Sequence, residues 1–134
     1  MREYKFRVFW YKDKITTSVD TIEFLHGGIR VSDGCYHIGW QGKDCELREF
    51  TGLHDKNGKE IYEGDILRDT DSEIYYVDFI RGCFYLKTKY ISFPHLGWTE
   101  WLPMCEIDRL ANPVDFEIIG NIYDNPELLK EGSV

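Results

Sequence analysis

The chain has 134 residues, 43% hydrophobic and 16% aromatic, enough for one domain with its own core and no need of a disulfide or structural metal. Its net charge of −8 opposes the counterion release by which proteins bind phosphate backbones, so nucleic acid is not an expected ligand. No apolar run reaches the roughly 18 residues of a membrane-spanning helix, and the opening "MREYKFRVFW" lacks the apolar core of a signal peptide, so a cytoplasmic protein is expected.

Within that opening, Tyr4, Phe6, Val8 and Trp10 fall at even positions with the cations Lys5 and Arg7 between the first three, the period of a half-buried strand. The cations Lys5, Arg7, Lys12 and Lys14 make the densest basic stretch, which reads as a solvated face. Further on, "IRVSDGCYHIGW" carries Asp33-Gly34, a pair suited to a two-residue hairpin turn. Folding there sets Val31 opposite Tyr36 and Ile29 opposite Ile38, with Arg30 and His37 on the other face. The cysteines Cys35, Cys45, Cys83 and Cys105 form no C-x-x-C pair and read as reduced and packed; Cys35, His37 and Cys45 lack the usual zinc-ligand spacing. The histidines His26, His37, His54 and His95 read as surface or turn residues.

The central "TGLHDKNGKEIYEGDIL" concentrates turn formers and carboxylates. A calcium loop started at Asp55 puts Lys59 at a ligand position and Gly58 at the wrong one, so that reading fails. A two-residue turn on Asn57-Gly58 opposes Lys56 to Lys59 and Asp55 to Glu60, both like-charged. A three-residue loop with Gly58 in the left-handed conformation instead pairs Asp55 with Lys59 and Leu53 with Ile61, and is preferred. Gly64 then bends the chain, and Asp65 binds amides of that bend before Ile66-Leu67 begin a strand, as in small SH3-like barrels.

In "EIYYVDFIRGCFYLKTKY" a turn at Arg81-Gly82 places Phe79 opposite Phe84 and Val77 opposite Leu86. "HLGWTEWLPM" is read as a brief helical turn with Trp98, Trp101 and Leu102 on one face, an interface anchor if it does not pack in the core. "FEIIGNIYD" is a strand broken at Gly120-Asn121, and "NPELLK" a short helix with Asn125 as cap and Pro126 at its first position. The fold class is therefore mainly β: one domain, residues 1–134, of short antiparallel strands in a curled or barrel-like, partly SH3-like sheet, with a short C-terminal helix.

Three blocks, "MREYKFRVFW", "LREFTGLHDKNGKEIYEGDIL" and "FEIIGNIYDNPELL", together resemble the YopX family of phage and prophage proteins over essentially the whole chain. The central block is the most specific, through Thr51, Gly52, Asp55, Asn57, Gly58, Tyr62, Gly64 and Asp65. The resemblance implies prophage origin, a β-rich fold and self-association, with a trimer as first guess, and it carries over no catalytic residue. No nucleophile setting, phosphate loop or dinucleotide fingerprint occurs. The expected function is thus that of a non-enzymatic, cofactor-free accessory protein that self-associates and binds a host or phage protein. Two rivals are an acidic nucleic-acid mimic acting on a host enzyme, and a metal-dependent hydrolase built on Asp55, Glu60, Glu63 and Asp65.

Overall fold

The computed structural model describes residues 4–70, 72–80, 83–88, 101–103 and 116–129. The strands are β1 (Phe6–Trp10), β2 (Ile15–Ser18), β3 (Thr21–Leu25), β4 (Gly28–Ser32), β5 (Ile38–Trp40), β6 (Cys45–His54), β7 (Glu60–Tyr62), β8 (Asp65–Arg68), β9 (Ile74–Ile80), β10 (Cys83–Thr88), β11 (Trp101–Pro103) and β12 (Glu117–Asn121). A 3-10 turn at Pro126–Leu129 follows. The molecule is mainly β with a strongly curled half-barrel sheet, as the sequence predicts. No helix among the described residues is long and apolar enough to cross a membrane. Two compact units are present, Met1–Phe50 and Thr51–Val134, and their boundary falls inside β6.

In the first unit, β1 lies between β2 and the early part of β6, with Val8 opposite both Thr17 and Leu47. Val8 and Trp10 are buried as their alternation predicts, and they pack with Val31 and Cys45. Phe9, on the opposite face of β1, is buried as well, with its ring edge-on to Tyr11 at 5.7 Å between centroids. A second sheet orders β3-β4-β5. The hairpin β3–β4 closes on a two-residue turn, His26-Gly27, with Leu25 opposite Gly28.

The next hairpin departs from the expected register. Ser32 pairs with Ile38 and Val31 with Gly39, so Asp33 to His37 form a five-residue loop, not a two-residue turn. Asp33 causes the change: its Oδ1 accepts the amides of Cys35, Tyr36 and His37 at 3.0, 3.1 and 2.9 Å. A tight turn on Asp33-Gly34 forgoes these charge-assisted bonds, each stronger than the neutral bond worth about 1 kcal/mol. The longer loop leaves Tyr36 and Ile38 exposed, whereas the alternation had paired both inward.

In the second unit the sheet order is β11-β10-β9-β8-β12. Its core is Ile61, Leu67, Val77, Leu86 and Phe116. Full burial of each such side chain stabilises by about 1.5–3 kcal/mol, more than one turn hydrogen bond, so alternation fixes the register here. Phe79 opposite Phe84 and Val77 opposite Leu86 match the sequence reading, while the Arg81-Gly82 turn itself lies outside the described residues. Trp101 and Leu102 form a strand against Lys87 and Leu86. This corrects the helical turn at these two residues: their backbone is extended and paired in the sheet. Trp98, His95 and Cys105 lie outside the described residues. Strand β12 pairs with β8 through a register shift between Ile118 and Gly120, so the irregularity precedes Gly120 and the strand continues through Asn121.

Candidate functional site

Carboxylates organise the turns of both units. In the central stretch the Asp55 amide donates to the Lys59 carbonyl at 2.8 Å and the Gly58 amide to the Asp55 carbonyl at 3.0 Å. Gly58 has φ of 82°, so the three-residue loop is the observed one. The Asp55 side chain is 3% exposed. Its Oδ1 accepts from Asn57 and Lys59 amides at 2.8 and 2.9 Å, and its Oδ2 from the Ile118 amide on β12 at 3.1 Å. Burial pushes its pKa up, but the three amides and the Lys59 charge outweigh burial and hold it below the ordinary value. Asp65 accepts the Tyr62 amide at 2.7 Å across the Gly64 bend. Thr51 Oγ1 donates to the Ile61 carbonyl at 2.8 Å, and Gly52 takes φ of 88°.

At the other end of that unit, Asn121 Oδ1 accepts the amides of Tyr123 and Asp124. The Asn125 side chain points back to the Asn121 amide at 3.3 Å and leaves the cap of the 3-10 turn to its own carbonyl, which accepts from Leu128. Pro126 opens that turn, as expected. The motif residues thus come together as backbone anchors. The hydrolase carboxylates do not converge: Asp55 and Asp65 are aimed at separate amides, and Glu60 accepts the Tyr62 hydroxyl at 3.2 Å. Among the described residues no three metal-ligating side chains gather, and Cys35 is exposed while Cys45 is buried, its thiol pushed up to about 11, chiefly by burial.

A different constellation, unread in the sequence, sits in the first unit. The β1–β2 turn, the Asp33–His37 loop and the turn after β5 surround a cleft of about 610 Å³. His37 spans it. Its Nε2 bonds Asp13 Oδ2 and its Nδ1 bonds Asp33 Oδ2, both at 2.7 Å. These two bonds raise the His37 pKa, with Asp13 contributing most, against a smaller opposing effect of burial. Asp33, also held by amides, is pushed below the usual carboxylate range despite its burial. When protonated, the ring donates from both nitrogens, one to each carboxylate. It stacks on Trp10 at 5.0 Å between centroids and 24° between planes, a cation–π contact when charged.

Around this clamp, the Tyr11 hydroxyl donates to Glu46 at 2.7 Å. That bond, with burial and the Glu46 charge, pushes its pKa up to about 12, so the phenol keeps its proton. Lys12 and Lys43 flank the opening. Tyr36 is 92% exposed and Ile38 65% exposed at the rim. The cleft thus offers an apolar lip, an aromatic wall and mixed charge. The clamp corrects the placement of His37 on an outer hairpin face beside Arg30. Asp13 and His37 are 24 residues apart, and no periodic signal joins them.

A family model described as "YopX protein" matches residues 5–130. Among solved structures, protein EF1440 from Enterococcus faecalis is similar with a TM-score of 0.62 and 24% identity, over 97% of this chain and 100% of that one. Protein yopX from Bacillus subtilis is similar with a TM-score of 0.57 and 17% identity, over the same shares of 97% and 100%. At these identities the two structures establish likeness of fold alone. No curated protein matches the chain.

Proposed function

The chain belongs to the YopX family, and from that premise we propose that it is a phage- or prophage-encoded, cytoplasmic accessory protein that self-associates and acts by binding another protein. One observation carries the reading. Apolar side chains that a domain of this size ordinarily buries stand in water around the His37 cleft: Tyr36 at 92%, Ile38 at 65% and Tyr11 at 41% exposure. Aromatic groups at the lip of a pocket are the usual carriers of protein–protein binding energy. The carboxylates of a rival metal site, Asp55 and Asp65, are already engaged by main-chain amides, which favours a scaffold over a reaction centre.

Two measurements test the proposal. Light scattering on the purified chain is expected to report an oligomer, and a monomer at every concentration removes self-association. Tagged wild-type protein and the variants Tyr36→Ala and Ile38→Asp are then passed through bacterial host lysate. The reading expects a partner retained by wild type and lost by both variants, with circular dichroism unchanged. Equal retention by all three proteins rejects the cleft rim as the contact.

A further inference from the structure

The sheet β3-β4-β5 has two edges, and they are finished differently. Hydrogen-bond direction along β4 follows from two bonds: the Asp33 amide donates to the His37 carbonyl at 3.1 Å, and the Gln41 amide to the Ile29 carbonyl at 2.9 Å. Odd-numbered residues of β4 therefore face β5, and even-numbered ones face β3. Their partners on β3 are Thr21, Glu23 and Leu25. Alternation then turns the N–H and C=O of Ile22 and Phe24 away from the sheet.

On the β5 side, the outward groups of Trp40 are covered, while among the described residues those of Ile38 carry no bond beyond the ladder. The Trp40 amide donates to Asp44 Oδ2 at 2.8 Å, and its carbonyl accepts from the amides of Lys43 and Asp44 at 3.2 and 2.9 Å. On β3 nothing comparable occurs: among the described residues no bond beyond the ladder reaches the main chain of Ile22 or Phe24. The strand "TIEFL" also lacks the lysine or proline that usually blunts an open edge. Its single charge, Glu23, is neutralised by a forked pair with Arg30 at 2.9 to 3.1 Å. Phe24 is 80% exposed and Leu25 42%.

We propose that the β3 edge is the self-association surface, pairing antiparallel with the same edge of a second copy about a two-fold axis at Glu23. This inference rests on the self-association reading and names its surface. The strand fits itself. A two-fold at Glu23 sets Ile22 opposite the partner's Phe24 and Phe24 opposite the partner's Ile22, so residues with free main-chain groups meet each other. About four main-chain hydrogen bonds form, with two apolar cross-strand pairs on one face. Glu23 meets the partner's Glu23 on the other face, a repulsion that Arg30 offsets from each side. The contact is two-fold, so it builds dimers or even-numbered rings and does not by itself give a trimer.

The test uses the full chain. Phe24→Pro removes one outward amide without touching the ladder to β4, and is expected to weaken association at least tenfold by analytical ultracentrifugation with circular dichroism unchanged. In a Cys35→Ser background, Glu23→Cys brings two thiols together across the axis. Opposed residues of a non-hydrogen-bonded pair lie about 4.5 Å apart between Cα atoms, within disulfide reach. Mild oxidation is expected to give a covalent dimer that the Cys35→Ser parent does not form. If Phe24→Pro impairs folding, the cross-link alone decides. An oligomeric wild type that ignores Phe24→Pro and yields no cross-link overturns the β3 surface while self-association stands. A wild type that stays monomeric overturns both, and a β3 edge captured only by another protein's strand overturns the self-pairing.

Discussion

Two aspartates do comparable work at distant places. Asp55 and Asp33 each gather amides of their own loop on Oδ1 and send Oδ2 elsewhere, to the Ile118 amide and to the His37 ring. Removing Asp55 strands three amide donors, two beside the loop and one on β12. Asp55→Ala is expected to lower unfolding free energy by about 3 kcal/mol in urea titration, with Asp55→Asn intermediate because it keeps an acceptor and loses the charge. For His37 the sign follows from a raised folded pKa. The stabilisation is complete below the unfolded value of about 6.5 and is lost as pH rises through the higher folded value. Ring NMR titration should place the His37 midpoint above 6.5, and thermal stability should decline as pH rises from about 6.5 through that midpoint. His37→Gln is expected to flatten that decline; an unshifted midpoint would refute the clamp.

At the level of elements, hairpins were legible where burial or cross-strand charge chose the register, and not where a side chain gathering amides lengthened the loop. The β9–β10 pairing and the Gly58 loop follow from alternation and from charge pairing across the strands. At Asp33-Gly34 the same logic failed, because the amide-gathering power of Asp33 has no periodicity to betray it. The β3–β4 hairpin escaped notice because His26-Gly27 is a weak turn signal and Phe24 and Leu25 show no inward alternation. Turn backbones themselves are open to test. Gly58→Val forces a branched side chain to φ of 82° and should cost about 1–2 kcal/mol. At Gly120 the obstacle is steric: an added Cβ would lie 2.5 Å from Asn125 Oδ1 and 3.1 Å from its Cβ. Gly120→Ala is expected to destabilise by about 1–2 kcal/mol, and Asn125→Ala in that background to recover part of the loss by denaturant melts. Additive losses would show that the two residues do not share this contact.

For the molecule as a whole, the mainly β class and the family were readable from three sequence blocks, whereas the cleft was not. Its parts come from segments that only the folded chain brings together, as with Asp13 and His37. Within the second unit the same separation has a kinetic side. Ile118 reaches Asp55 across 63 residues, and Glu117 reaches Arg68 at 3.0 Å across 49. During synthesis β8 leaves the ribosome well before β12, and one of its flanks must wait, exposed to other nascent chains. Chains closed by such long-range pairings fold in milliseconds to seconds, and this unit can complete its sheet only once β12 has been made.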